Sequence, residues 1–144
     1  MKVLFDTTVL VAAVVDQLPN HEAALACFSH YAGSIDHVGC CSTHALAECY
    51  ATLTAIPLPK RVQPAEACLL IEENFINRLK LIELSGTDYA EAIRRASGLG
   101  LSSGVIYDAL HLACAEKASC ERIYTYNLSD FQRFRADEIE VLTP

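Results

Sequence analysis

The stretch KVLFDTTVLV, residues 2–11, places one acidic residue, Asp6, between two apolar segments. The first segment is rich in Val, Leu and Phe and predicts a buried strand, whereas the segment from Val9 onward predicts a helix. An aspartate at such a junction either caps the helix or belongs to a site beyond the end of the strand. The stretch alone leaves both interpretations open, and Thr7 or Thr8 could share the capping role.

The composition predicts a compact globular protein. Hydrophobic residues make up 52% of the 144 residues and charged residues 20%, which argues against disorder and favours one domain spanning residues 1–144. The longest apolar stretches are shorter than the roughly 18 to 20 residues of a membrane span, and the start MKVLFD does not resemble a signal peptide. We therefore expect a soluble, cytoplasmic protein without membrane contact.

The cysteines and the net charge narrow the function classes. Seven cysteines, an odd number without a C-x-x-C pair, favour small buried hydrophobes in a reducing compartment over disulfides, with a zinc site or a redox pair as alternatives. The net charge of −7 argues against a nucleic-acid partner. That objection loses force if several carboxylates gather at one site and metal ions neutralise them.

Strand-like and helix-like segments alternate along the chain, which predicts an α/β fold whose mostly parallel sheet has helices on both faces. The five predicted strands cover residues 2–5, 37–42, 79–84, 122–126 and 139–143. The predicted helices cover residues 9–31 with a break at 18–20, a segment that begins at Ser42 or Thr43 and includes 45–53, then 64–78, 86–97, 105–118 and 127–134.

Four acidic residues follow strands or lie in helices next to them, and they are the candidate site: Asp6, Glu48, Asp108 and Asp130. Ligands of open α/β sheets bind beyond the carboxyl ends of the strands. Two carboxylates about 4 Å apart repel by roughly 4 kcal/mol at an effective dielectric constant of 20, and a divalent cation removes that cost. Oxygen ligands favour Mg²⁺ or Mn²⁺ over zinc, which points to phosphodiester chemistry.

Each of these acids also has a purely structural interpretation. Glu48 could face solvent, and the helix macrodipole could stabilise Asp108 near its helix N-terminus. Asn127 and Asp130 have the spacing of a capping box, with Asn127 as the cap. His111, one turn after Asp108, is more typical of a hydrogen-bonded core histidine than of a ligand.

Four segments in order resemble the PIN-domain ribonucleases, specifically the VapC-like toxins of bacterial toxin–antitoxin pairs. The segments are FDTTVLVAAV at 5–14, LAECYATLT at 46–54, IYDALHLACA at 106–115 and IYTYNLSDFQRF at 123–134. The resemblance covers nearly the whole chain and implies a three-layer α/β/α sandwich. It also implies Mg²⁺- or Mn²⁺-dependent cleavage of single-stranded or looped RNA, in which a metal-activated water attacks the phosphorus.

The resemblance assigns roles residue by residue. Asp6, Glu48 and Asp108 match the three acids that ligate metal in the family, and Thr7 and Thr125 match positions whose hydroxyls steady the acids or a bound water. At the fourth position, where an acid is common, this chain has Asn127. Asp130 is then the candidate fourth ligand, which leaves open the number of metal ions.

The resemblance further implies an RNA substrate, a cognate antitoxin and a homodimer. Basic residues that could assist RNA binding, or could simply be solvated, are Lys60, Arg61, Arg94, Arg95, Arg133 and Arg135. The main alternative is a catalytically inactive PIN-like module that binds RNA or a partner protein. A phosphatase of the haloacid-dehalogenase type is disfavoured, because that class needs a second Asp where this chain has Thr8.

Overall fold

The computed structural model describes all residues from 1 to 144 and contains five strands. They are β1 (Lys2–Phe5), β2 (Val38–Ser42), β3 (Lys80–Ile82), β4 (Arg122–Tyr124) and β5 (Glu140–Leu142). All neighbouring strands are parallel, and their order across the sheet is β3-β2-β1-β4-β5. The α/β architecture with a five-stranded parallel sheet is therefore confirmed; β1 has the predicted bounds, and the other four strands are shorter than predicted.

Seven α-helices connect and cover these strands. They are α1 (Thr7–Val14), α2 (His21–Tyr31), α3 (Thr43–Ala55), α4 (Pro64–Leu70), α5 (Gly86–Gly98), α6 (Val105–Lys117) and α7 (Leu128–Gln132). The predicted helix over 64–78 is α-helical only in its first part and continues as a π-helical turn over Ile71–Ile76. No helix has the length and apolarity that crossing a membrane requires.

The sheet separates two apolar cores. Val3 and Phe5 of β1 pack on the side of α1 to α4, while Leu4 between them packs on the side of α5 to α7. Alternate residues of a strand point to opposite faces, so a strand covered on both sides is apolar at every position. This explains why the segment around residue 4 has no polar alternation, and it accounts for the three-layer arrangement.

The strand order creates a crevice beside β1. After β1 the chain builds β2 and β3 on one side, then returns to place β4 on the other side. The connections that leave the carboxyl ends of β1 and β4 diverge at this switch point, which is where open α/β sheets bind ligands. The residues that follow the two strands, Asp6 and Thr125, therefore meet there although they are far apart in sequence.

Candidate active site

A cleft of about 440 Å³ lies at the switch point between β1 and β4. All four candidate acids line it, together with one arginine, one tyrosine and several small polar residues. The lining residues are Asp6, Thr7, Thr8, Glu48, Thr52, Ser102, Gly104, Val105, Tyr107, Asp108, Asn127, Asp130 and Arg133. A wider cleft of about 750 Å³ lies elsewhere, around Glu116 and Arg135, but it contains none of these acids. The tertiary structure thus places the predicted residues around one concave surface.

Asp6 is the most firmly held of the four acids. The residue is 2% exposed, and its Oδ1 accepts a hydrogen bond of 2.7 Å from the backbone N–H of Thr7. Its Oδ2 accepts hydrogen bonds from the hydroxyls of Thr8 (2.8 Å) and Thr125 (2.7 Å). Asp6 is therefore the N-cap of α1 and a member of the cleft at the same time, and the two interpretations of the opening stretch coexist.

The hydroxyl that assists Asp6 from α1 belongs to Thr8, whereas the sequence pointed to Thr7. Thr7 Oγ1 is buried without a well-formed hydrogen bond, and Thr7 contributes its backbone N–H instead. Thr8 Oγ1 also accepts a hydrogen bond of 3.0 Å from the backbone N–H of Tyr126, and Thr125 Oγ1 accepts one of 2.9 Å from that of Asn127. Both hydroxyls thus link Asp6 to the segment that follows β4.

Glu48, which is partly exposed, pairs with the buried His111 at the inner wall of the cleft. His111 is 1% exposed, and its Nε2 lies 2.9 Å from Glu48 Oε1 and 3.5 Å from Asp6 Oδ1. Its Nδ1 lies 2.9 Å from Ser42 Oγ. Ser42 also caps α3 by accepting a hydrogen bond from the N–H of Ala45, so the cap of α3 fixes the imidazole that faces Glu48.

Charge complementarity within this pair shifts both pKa values. Burial acts to raise the pKa of Glu48, but the hydrogen-bonding and charge interactions with His111 outweigh burial and lower it. Burial acts to lower the pKa of His111, but the interaction with Glu48 and the charge of Asp6 outweigh burial and raise it. The pair therefore favours an ionised Glu48 next to a protonated His111.

Asp108 is compensated only in part, because the charge of His111 acts to lower its pKa but is outweighed. It lies in the first turns of α6, is 7% exposed, and no donor or cation of the chain pairs with its carboxylate. Burial, followed by the charges of Asp6 and Asp130, raises the pKa of Asp108 to about 7. A buried carboxylate without a partner is costly unless a cation or a proton neutralises it, so this position is the one most in need of an external positive charge.

The part of the cleft formed by Asn127 and Asp130 is more open to solvent. Asp130 is 39% exposed, and its Oδ1 lies 3.5 Å from Arg133 Nη1. Asn127 occupies the N-cap position of α7, but its side chain forms no capping hydrogen bond, so the predicted capping box is absent. The backbone N–H of Asn127 is bound to Thr125 instead. Asp130 is consequently free of any capping role and faces the cleft.

Comparison with known proteins places this chain in a family. The family model of the PIN domain matches residues 3–136, which is nearly the whole chain. This chain belongs to the PIN-domain family. A curated relative, Ribonuclease VapC27 of Mycobacterium tuberculosis, is 32% identical over 112 residues, which are 77% of this chain and 75% of the relative.

Solved structures share the fold of this PIN domain. VapC20 of Mycobacterium tuberculosis, described as a sarcin-ricin loop cleaving toxin, superposes with a TM-score of 0.76 at 15% identity and covers 99% of each chain. A chain of the VapBC2 complex of Rickettsia felis, bound to a promoter DNA fragment, has a TM-score of 0.69 at 18% identity, covering 100% of this chain and 99% of that one. At these identities the likeness concerns the fold.

The donor set of this PIN domain suits a hard divalent cation. Its acids supply only oxygen ligands, and the unpaired carboxylate of Asp108 lies beside that of Asp6. No three His, Cys, Asp or Glu side chains in the chain are arranged closely enough to enclose one ion. Mg²⁺ does not require such an enclosure, because proteins commonly hold it through one or two carboxylates while it keeps several waters.

Three residues that hold or contact the acids of the cleft, directly or through one another, are not among the site residues expected from the sequence: Ser42, His111 and Thr8. The sequence predicts Ser42 as a possible helix cap and His111 as a core histidine. The spacing between Asp108 and His111 was the available signal, because residues three apart share a helix face. Their link to Glu48 and Asp6 depends on the packing of α6 against β1 and β2, which no local pattern encodes.

Proposed function

We propose that this PIN domain is an endoribonuclease that cleaves RNA phosphodiester bonds with the help of bound Mg²⁺ or Mn²⁺. The observation that carries the proposal is Asp108, a buried carboxylate that lacks a partner and lies in the same cleft as Asp6. The similarity to a relative named as a ribonuclease supports the reaction class. The cation is supported by the all-oxygen donor set and by the charge that it would neutralise.

In this proposal Asp6 and Asp108 hold the cation, and Glu48 and Asp130 complete its surroundings directly or through water. When bound, the cation supplies a water of lowered pKa for in-line attack and neutralises charge on the departing oxygen. Thr8 and Thr125 keep Asp6 in one orientation through their hydroxyls. His111 keeps Glu48 ionised and directed into the cleft. A preorganised set of ligands is what such a reaction requires of the protein.

We further propose that the protein is the toxin of a toxin–antitoxin pair, that it acts in the cytoplasm, and that it forms a homodimer. The named relatives support the first part, since they include a VapC ribonuclease and a VapC toxin, and another superposed chain comes from a VapBC complex. A cognate antitoxin would then bind this chain and restrain its activity. Purification with the product of the neighbouring reading frame, followed by measurement of the assembly mass, tests these points.

Cleavage is tested with antitoxin-free protein and mixed RNA in Mg²⁺ or Mn²⁺. We expect the wild type to cleave, EDTA to stop cleavage, and both Asp6→Asn and Asp108→Asn to be folded but inactive. Asp16→Asn is the matched control, because Asp16 is exposed in the turn after α1 and lies outside the cleft. Full activity of Asp108→Asn would exclude the proposed site. Metal binding without cleavage of any RNA would favour a binding module, for which Asn127 at the fourth position is the supporting observation.

A further inference from the structure

Tyr107 is an exposed aromatic residue on the rim of the acidic cleft. It precedes Asp108 in the first turn of α6 and lines the cleft, yet its side chain is 46% exposed. The proposed chemistry gives this ring no role. A large exposed ring beside a reaction site is informative, because aromatic rings in nucleic-acid enzymes offer flat surfaces for bases.

The ring is held in place from one side. The imidazole of His44 on α3 lies nearly parallel to it, with 5.0 Å between the ring centroids and an interplanar angle of 14°. Nε2 of His44 in turn lies 3.3 Å from Glu48 Oε1. The stack therefore joins the two helices that carry Glu48 and Asp108, and it orients the Tyr107 ring relative to the acids while much of that ring remains exposed to solvent.

We propose that Tyr107, supported by His44, is the stacking platform for an unpaired base of the substrate, next to the phosphate that enters the cleft. The proposal rests on the ribonuclease function proposed above. A base in a duplex already has neighbours on both faces, so a platform of this kind selects single-stranded or splayed-out nucleotides. Stacking is tolerant of sequence because every base has a flat face, so Tyr107 contributes strand selectivity and affinity rather than a sequence code.

The chain contains no tryptophan, so the emission of one introduced indole can be followed without background. Tyr107→Trp introduces a single indole at the platform and keeps an aromatic ring there. Tyr89→Trp is the matched control, since Tyr89 is also exposed, at 37%, but lies on α5 and outside the cleft. The probes are a 12-nucleotide oligoadenylate, the same backbone with abasic riboses, and a 12-base-pair RNA duplex. Titrations use Ca²⁺ as the divalent cation, with RNA integrity checked on a gel.

We expect oligoadenylate to quench the indole at position 107, and the abasic strand and the duplex to leave its emission nearly unchanged. The indole at position 89 should not respond to any of the three. Equal quenching by oligoadenylate and by the abasic strand, or no quenching at position 107 by oligoadenylate, would overturn the proposal. If oligoadenylate does not quench the indole at position 107, contact with a protein partner is the remaining role for the exposed ring.

Affinity measurements on two further variants separate the ring from its hydroxyl. Tyr107→Ala should weaken binding of oligoadenylate by roughly 5- to 150-fold, the usual loss for one stacked base, whereas Tyr107→Phe should stay within about twofold of the wild type. Equal losses in both variants would contradict stacking. Both variants should keep the thermal shift that Mg²⁺ induces in the wild type, and loss of that shift in Tyr107→Ala would show damage to the metal site instead.

The platform and the ribonuclease function can fail separately. Cleavage of RNA by the wild type, combined with a silent indole at position 107, would reject the platform and leave the ribonuclease proposal standing. Base-dependent quenching without any cleavage would reject the ribonuclease proposal and retain the platform as part of an RNA-binding surface.

Discussion

Replacing Asp108 by Asn should stabilise the metal-free protein while removing its response to Mg²⁺. The side chain is buried, the charge of His111 offsets its own only in part, and it faces the charges of Asp6 and Asp130. Asn has nearly the same shape as the protonated acid but carries no charge. The substitution therefore removes repulsion from the folded state and leaves the packing of α6 intact.

The magnitude follows from the pKa. Raising the pKa of Asp108 from its ordinary value of 3.8 to about 7 corresponds to about 4 kcal/mol at neutral pH, since a tenfold change in proton affinity is about 1.4 kcal/mol. Water in the open cleft and relaxation of neighbouring groups reduce this figure. We expect a gain of about 1 to 3 kcal/mol in the free energy of unfolding, which raises Tm by roughly 3 to 10 °C in a domain of this size.

The pH dependence has a definite sign. Because the folded protein binds the proton of Asp108 more tightly than the unfolded chain does, its stability falls as the pH rises from about 4 to about 7. The gain from Asp108→Asn is therefore absent below pH 4, grows across this interval and is complete above pH 7. Thermal unfolding in EDTA at several pH values measures it, with Asp16→Asn as the control.

Addition of Mg²⁺ should narrow the difference in stability, because only the wild type should respond to it. A ligand at ten times its Kd stabilises the folded state by about 1.4 kcal/mol, and the wild type should show such a rise whereas Asp108→Asn should not. A lower stability of Asp108→Asn than of the wild type at pH 8 in EDTA would refute this prediction. That result would mean that the wild-type carboxylate has a stabilising partner in the folded chain.

Three further predictions concern the surroundings of Asp108. Thr125→Val removes a hydroxyl that binds Asp6 and the N–H of Asn127, so it should lower the free energy of unfolding by about 1 to 3 kcal/mol and reduce cleavage. Urea unfolding measures the loss of stability. An equal loss in the control Thr143→Val, at an exposed position, would contradict the role of Thr125. Ser42→Ala removes both the cap of α3 and the contact with His111, with an expected loss of about 1 to 3 kcal/mol, and unchanged stability would show that neither contact matters. Asp130→Ala should change the free energy of unfolding in EDTA by less than about 0.5 kcal/mol, because the side chain is 39% exposed and caps no helix. The same substitution should weaken the Mg²⁺-induced rise in Tm. A loss of stability with normal Mg²⁺ binding would exclude a role of Asp130 as a ligand.

Local patterns in the sequence determined most of the secondary structure. The apolar run before Asp6 predicts β1, and the Leu18-Pro19-Asn20 segment predicts the interruption between α1 and α2. These features depend on residues close in the chain, where propensity, capping and period act directly. The π-helical turn at Ile71–Ile76 was not predictable in this way, because its sequence is also compatible with an α-helix.

The sequence also supplied the list of candidate acids, through their positions after strands and through the resemblance of four ordered segments. It left open whether Asp6 is a cap or a site residue. The structure shows that Asp6 both caps α1 and lines the cleft. One carboxylate can do so because it has enough lone pairs to accept hydrogen bonds from the N–H of Thr7 and from two hydroxyls.

Only the tertiary structure decided which groups surround these acids. Thr125 reaches Asp6 across 119 positions of sequence because β4 lies beside β1, and strand order is set by the packing of the whole sheet rather than by any local pattern. The same holds for His111, which contacts Glu48 because α6 packs against β2, the strand that leads into α3. Residue type and spacing determine which face of an element is polar, but long-range packing determines which polar faces meet.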